Sequence, residues 1–512
     1  MGLLFFPRGG SAYVTRYLSR ALLAADWSVE LVTGSLGDPG GDTHAPTFFA
    51  GIALQHVDYS DAVRTFEMGG SAIAATVPMH PSYEDREDAP DVLLAAVPPD
   101  LVDHLASVWE PAFRAAGAAQ ADVFHLHHLT SQHDAVRRCW PEGVVVAHLH
   151  GTELKFLQAV NVRLAFAHSV GTSLAGMPAW ARTNPDASLR LDGPARELLR
   201  TTRWEQWQYG ETWRARLRRQ AAAADHLVVV SPADRATAVE VLGVDAERVS
   251  AVPNGVDTST FRPRPVARRQ RRTLLRRWLV EDPQGWDESA VAGTVDYRDD
   301  DLERLVGPDG DAVVLIFVGR FTAAKRVPLL LRAFARARPH FVRPTSLLVW
   351  GGHPGEWEAE HPVTVARSSG ADGVYFAGWR GHDDLPDALA ACDALVMASV
   401  DDSYPQAPLE AMAVGLPVIA TLSGGFPQMI NLDPARPTGW LVPPDDEPAL
   451  AEAMIEAVNR PDEISRRGRA ALVHAQTHLS WSGRVNDFEQ IYARARDRRT
   501  RRALNEVAAP TN

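Results

Sequence analysis

Short apolar runs alternate with longer amphipathic stretches along this chain, and that alternation constrains its fold more than any other feature. Strand-length runs separated by helix-length ones mark βα units, which build a parallel sheet covered on both faces. In the first half, residues 2–6, 28–33, 123–127, 144–148, 226–230 and 249–252 read as strands. Between the first two, Val14, Tyr17, Leu18, Ala21 and Leu22 recur at helical spacing. A second series starts at Val313, with strands expected over 313–318, 347–350, 374–377, 395–398 and 417–421. A chain of 512 residues exceeds one ordinary domain. We therefore expect an α/β protein of two doubly wound parallel-sheet domains facing each other across a cleft.

The expected divisions are 1–262 for the first domain, 263–310 for a charged linker or insertion, and 311–478 for the second domain. A last helix over 479–504 carries Trp481, Val485, Phe488 and Tyr492 in one apolar stripe, and 505–512 reads as a disordered tail. Residues 35–110 and 160–220 look like insertions with short helices, rich in Arg and Trp. For Trp180, Trp204, Trp207 and Trp213, packing is favoured over carbohydrate stacking. The linker holds Arg268, Arg269, Arg271, Arg272, Arg276 and Arg277 and the acidic run 299–301. A solvated helix is the favoured reading there, with a weak peripheral membrane contact as the alternative.

A net charge of −12 argues against a nucleic-acid partner, which calls for a concentrated basic face. Cys139 and Cys392 stand far apart with no partner motif, supporting neither a disulfide framework nor a zinc site. The apolar start is too short for a signal peptide, and no apolar stretch nears the roughly 20 residues that span a bilayer. A cytoplasmic location is expected.

Chemistry concentrates in residues 399–421. Asp402 and Glu410 lie eight positions apart, across a turn with Pro405 and Pro408 that leads into a helix stopping near Gly415. A helix N-terminus offers unpaired N–H groups and partial positive charge to phosphate. Carboxylates there repel phosphate and are better used on sugar hydroxyls, so the combination suits a nucleotide sugar. Arg320 follows the 313–318 strand and Gly319, and Lys325 comes five residues later, just before a helix. A guanidinium fork and an ammonium at that edge can clamp a diphosphate and stabilise it as a leaving group. Gly9 and Gly10 link the first strand to the first long helix, where glycine lets backbone approach a phosphate. His125, His127, His128, His148 and His150 gather at two strand ends. No carboxylate or cysteine falls at a ligand-like spacing beside them, so no metal is expected. His150-Gly151-Thr152-Glu153 is the better functional candidate, at a strand's carboxyl end.

Together these residues resemble the family 4 retaining glycosyltransferases of GT-B fold. Val-Gly-Arg-Phe-Thr-Ala-Ala-Lys (318–325) looks like the family's Gly-Arg-x4-Lys clamp, and 402–415 like its Glu-Gly-Phe-Pro-x4-Glu-Ala-Met-Ala-x-Gly signature. Val-Pro-Asn-Gly-Val-Asp (252–257) with Phe261 and Pro263 matches the turn that closes the N-domain. Gly424-Gly425-Phe426-Pro427 and 439–444 match the strand and loop after the signature. The resemblance is dense from about 225 to 490 apart from the linker, and thinner before that.

The resemblance implies a front-face, metal-independent transfer of a sugar from a nucleoside-diphosphate donor, UDP- ahead of GDP-, to an acceptor hydroxyl. Arg320 and Lys325 would neutralise the diphosphate, Glu410 would hold the ribose, and Asp402 would touch the donor sugar. Tyr404, Pro405 and Gln406 would support sugar and phosphate, Gly378 and Trp379 would frame the base, Gly10 would lie near the phosphates, and His150 would face the reacting sugar. The last helix would cross back onto the first domain. The acceptor, a small molecule, glycan or glycolipid, would bind in the first domain, and no cofactor beyond the donor is implied. Asp402 replaces the family's usual glutamate, and Gln428 stands where glutamate is common. A non-catalytic sugar-nucleotide scaffold and an epimerase or hydrolase on the same fold are the alternatives.

Overall fold

The computed structural model of the protein describes residues 1–4, 9–41, 43–86 and 89–508. It divides into two units, one formed by Met1–Pro253 with Val485–Asn512, the other by Asn254–Arg484.

The first unit is built on seven parallel strands: β1 (Gly2–Leu3), β2 (Glu30–Ser35), β3 (Ala53–Asp58), β4 (Phe124–His127), β5 (Val145–His148), β6 (His226–Val229) and β7 (Val249–Ala251). Their order is β3-β2-β1-β4-β5-β6-β7, so the direction of winding reverses between β1 and β4. The strand read over 2–6 is described only to residue 4, and its last two residues lie outside the described ones. The helix Gly10–Ala24 buries Val14, Tyr17, Leu18 and Leu22, as its spacing predicts. β3 was hidden in a stretch read as short helices. It is an edge strand that pairs with β2 along six residues, and only Val57 in it is buried, so it shows no apolar alternation. Trp204, Trp207 and Trp213 are buried packing residues. Trp204 stacks on Phe166, Trp207 stacks on Phe156, and Trp213 Nε1 donates to the Val97 carbonyl (2.8 Å).

The last helix runs Trp481–Ala508, and from Val485 onward it belongs to the first unit. Phe488 packs 5.6 Å from the rings of both His125 and His148, and Trp27 Nε1 donates to Glu489 Oε1 (3.1 Å). The tail read as disordered is helical as far as Ala508, and residues 509–512 lie outside the described ones.

The second unit carries six parallel strands: β8 (Val313–Val318), β9 (Thr345–Trp350), β10 (Val374–Gly378), β11 (Ala394–Val396), β12 (Val418–Thr421) and β13 (Gly439–Val442). The order is β10-β9-β8-β11-β12-β13, which puts the reversal between β8 and β11. β8 reads Val-Val-Leu-Ile-Phe-Val because both faces of a central parallel strand are covered.

The segment read as a charged linker is folded into this second unit. Helices Arg268–Arg276 and Asp299–Val306 bury Leu275, Leu302 and Leu305, and Trp278 and Trp286 are buried between them. Its arginines divide by face. Arg271 is buried on Asp393 (2.6 Å) and the carbonyls of Ala391 and Ala312, whereas Arg276 holds Asp299 (2.9 Å) at the surface. Asp299, Asp300 and Asp301 fill a helix first turn, where the backbone dipole favours negative charge. Among the described residues no helix is long and apolar enough to cross a membrane.

Candidate functional site

In open α/β sheets the place for a ligand is the carboxyl edge where strand order reverses, here between β8 and β11. Gly319 leaves β8 with its N–H on the Trp350 carbonyl (3.0 Å), and the chain turns through Ala323–Lys325. Val400 N–H donates to the Ala324 carbonyl (2.7 Å), joining the loops that follow β8 and β11. Across that junction Lys325 Nζ donates to Asp402 Oδ2 at 2.5 Å. Arg320 Nε lies 3.5 Å from Glu356 Oε2. Each cation of the clamp thus faces a carboxylate.

The loop after β11 is held from beneath. Gly425 N–H donates to the Asp402 carbonyl (2.8 Å), and a Cβ on Gly424 (φ +56°) would collide with that same carbonyl, so the glycine pair lets the two loops touch. Asn254 Nδ2 donates to the Tyr404 carbonyl (3.0 Å), and burial pushes the Tyr404 phenol up to about 12. Pro405 is extended and caps the helix Gln406–Val414, which ends at Gly415 (φ +99°). That helix presents its first-turn N–H groups at the switch point. Gln406 Nε2 and Ser399 Oγ are buried there without a hydrogen-bond partner among the described residues.

One turn into the helix, Glu410 is 2% exposed and its Oε1 lies 2.8 Å from His382 Nε2. The His382 ring packs against Phe261 (5.1 Å). Sequence reasoning did not single out His382, because nothing local ties it to a carboxylate 28 positions on; its only signal was a place just after the Gly378 loop. Gly378 ends β10 at φ +70°, and Trp379 beside it is 39% exposed, with the His353 ring edge-on at 5.9 Å.

Arg320, Lys325, Gly378, Trp379, Asp402, Tyr404, Pro405, Gln406 and Glu410 therefore all lie in the second unit, at the carboxyl edge of its sheet, and Gly10 and His150 in the first. Gly10 opens its helix behind Gly9 (φ +92°). His150 N–H donates to the buried Glu153 carboxylate (3.2 Å), whose other oxygen lies 3.4 Å from His128 Nδ1. His150 Nε2 meets His127 Nδ1 at 2.9 Å. Behind them His125 joins His148 (3.1 Å) and Tyr492 Oη (2.7 Å).

Burial and mutual repulsion hold His125, His127, His148 and His150 well below the ordinary imidazole range. His125, His127 and His148 bring ring nitrogens within 4.8 Å of one another, close enough for a metal to draw them together. Both nitrogens of His125 are already engaged, however, and the rings of His127 and His148 are stacked. The arrangement reads as a hydrogen-bonded ladder of neutral imidazoles.

Two family models match in succession. The Glycosyltransferase Family 4 model covers residues 8–260, and the model described as Glycosyl transferases group 1 covers residues 312–460. The chain belongs to the family 4 glycosyltransferases. This family 4 chain is 29% identical over 280 residues to a D-inositol 3-phosphate glycosyltransferase of Streptomyces coelicolor, covering 54% of the chain and 56% of that relative. With the enzyme of the same name from Saccharomonospora viridis it shares 30% over 281 residues, again 54% and 56%. It thus spans about half the length of the curated relatives it matches.

Among solved structures it resembles sucrose-phosphate synthase from Thermosynechococcus elongatus (TM-score 0.56, 20% identity, 95% of this chain and 93% of that one). It also resembles Anabaena HepE in complex with UDP and glucose (0.56, 14%, 96% and 98%). These likenesses and the two all-parallel sheets make the fold GT-B.

Proposed function

We propose that this family 4 chain is a retaining glycosyltransferase that moves a sugar from a nucleoside-diphosphate donor to an acceptor hydroxyl. One observation carries the reading. The loops after β8 and β11 place Lys325 against Asp402 (2.5 Å) at the switch point, beside the N-terminus of the helix that bears Glu410. Cations and helix amides suit the diphosphate, and carboxylates suit ribose and sugar hydroxyls. Gln406 Nε2 and Ser399 Oγ, buried and without a partner among the described residues, supply further polar groups for a polyhydroxylated ligand. A UDP-sugar is the donor proposed first, with GDP-sugars next; the UDP complex of the structural neighbour HepE is in keeping with that order.

In the proposed reaction the bond from the sugar's anomeric carbon to the diphosphate oxygen breaks, and a bond to the acceptor oxygen forms on the same face. The acceptor proton passes to the departing diphosphate. Arg320 and Lys325 stabilise the charge that develops there, the task a divalent ion performs in other phosphate chemistry. Lys325 must trade its Asp402 contact for phosphate, which frees Asp402 for a sugar hydroxyl. His150 is assigned to the reacting sugar; its depressed basicity makes it a neutral hydrogen-bonding group there. The first unit is assigned to the acceptor, a small molecule, glycan or glycolipid.

The test incubates the protein with UDP-, GDP- and ADP-sugars in EDTA and follows nucleoside diphosphate release beside Arg320→Ala. Release from one donor, abolished in the variant, is expected. Tight nucleotide binding with no release from any donor, even with acceptors supplied, would replace the transferase by a scaffold.

A further inference from the structure

Residues 261–311 fall between the stretches that the two family models match, yet they are an integral part of the second unit. The course of this strap across the sheet is informative. The Trp278 ring stands edge-on to Trp350 (5.0 Å), the last residue of β9. Buried Trp286 donates its Nε1–H to the Gly352 carbonyl (2.7 Å) and stacks on Phe321, the residue after Arg320. Tyr297 Oη accepts the Phe376 N–H of β10 (2.8 Å). A Cβ on Gly378 would collide with the Gln284 carbonyl, so strap backbone lies directly on the end of β10. The strap therefore covers the carboxyl ends of β8, β9 and β10, on one side of the switch point.

One side chain ties strap to loop. Arg380, two residues after Gly378 and buried, pairs with Asp282 (2.5 Å) and donates to the carbonyls of Trp278 and Asp282. A guanidinium with three such acceptors fixes the 378–380 backbone, and between the fixed points Trp379 keeps its indole partly open. An indole held at a defined angle is a stacking face for a planar heterocycle.

We propose that the strap 278–297, acting through Arg380, is the specificity-determining wall for the nucleobase of the donor. The inference rests on the donor reading above and deepens it. Arg380 is a positioning residue, since it holds the loop and not the ligand. The strap should therefore govern the contribution of the base to binding and leave that of the phosphates alone.

Calorimetric titration of the full chain with UDP, GDP and inorganic pyrophosphate, for the wild type and Arg380→Met, separates these contributions. The variant should bind UDP about ten-fold more weakly and shift its UDP-to-GDP preference by about three-fold, with pyrophosphate affinity held within about two-fold. A parallel loss for UDP and pyrophosphate, or no change in either, overturns the proposal. Should Arg380→Met fail to fold, Asp282→Ala, at a side chain 64% exposed, carries the same comparison. A wild type that binds none of the three ligands overturns the donor reading itself, and this inference with it.

Discussion

Substituting Asp402 by Asn should tighten the binding of UDP while slowing the enzyme. Lys325 Nζ and Asp402 Oδ2 stand 2.5 Å apart with side chains only 19% and 22% exposed, so their hydrogen bond is largely shielded from solvent. A hydrogen bond to a charged group contributes about 1.5–3 kcal/mol net, and Lys325 must surrender it to reach a phosphate. Asn preserves the acceptor and the shape but not the charge, so the Lys325 ammonium keeps a hydrogen bond to an amide oxygen and loses the ion-pair attraction. About 1 kcal/mol of competition is thereby released, equivalent to about a five-fold lower Kd. Loss of a carboxylate that repels the diphosphate acts in the same direction. The gain should shrink as salt rises, because it is electrostatic. Calorimetry with UDP at two ionic strengths measures the affinity, and donor turnover followed in parallel should fall about 10- to 100-fold if the carboxylate serves a sugar hydroxyl. Weaker UDP binding by Asp402→Asn would refute the competition argument, and unchanged turnover would refute the sugar contact.

Three further outcomes are expected. Glu410→Gln, which disrupts the buried pair with His382, should weaken UDP about ten-fold yet spare inorganic pyrophosphate, since the carboxylate is assigned to the ribose; equal losses would reassign it. Arg271→Met strips Asp393 of its buried partner but leaves it the Val314 N–H (2.8 Å), so unfolding free energy should drop by about 2–3 kcal/mol in urea; an unchanged midpoint contradicts this. Stability should also fall in mild acid. His125, His127, His148 and His150 stay neutral in the fold, and burial pushes His133 down to about 4. The unfolded chain takes up protons at these groups near pH 6.5 and the folded one does not, so their contribution is intact above about pH 6.5 and lost as pH falls toward 4. The slope reaches about 1.4 kcal/mol per pH unit for each histidine, and a urea midpoint equal at pH 7 and pH 5 would contradict that.

The parallel-sheet framework was legible wherever strands are covered on both faces. β8 throughout, residues 347–350 of β9 and residues 418–420 of β12 are continuous apolar runs, and such runs declare themselves. β3 did not, because an edge strand with one buried residue carries no period to detect. The clamp and the carboxylate helix were readable as motifs, since turn, helix start and charge all fall within short windows. Their pairing was not. Lys325 and Asp402 are 77 positions apart, His382 and Glu410 28, and no local pattern reports contacts that the sheet topology creates. The 263–310 segment misled for a different reason. Its charge density suggests solvent, but Arg271 spends its charge inside, on a carboxylate and three carbonyls, and the apolar anchors Trp278 and Trp286 are too sparse to form a stripe.

The last helix has a consequence for the order in which this chain can assemble on the ribosome. The first unit is discontinuous, with the whole of Asn254–Arg484 intervening before its final piece is made. Until Phe488 and Tyr492 emerge, the imidazoles of His125 and His148 lack the side chains that cover them and water has access to that face. The second unit, contiguous in sequence, can close first, while the earlier-synthesised half waits for a segment more than 230 residues downstream. Early termination anywhere beyond the second unit would thus leave the N-terminal half, not the C-terminal one, as the substrate for chaperones and proteases.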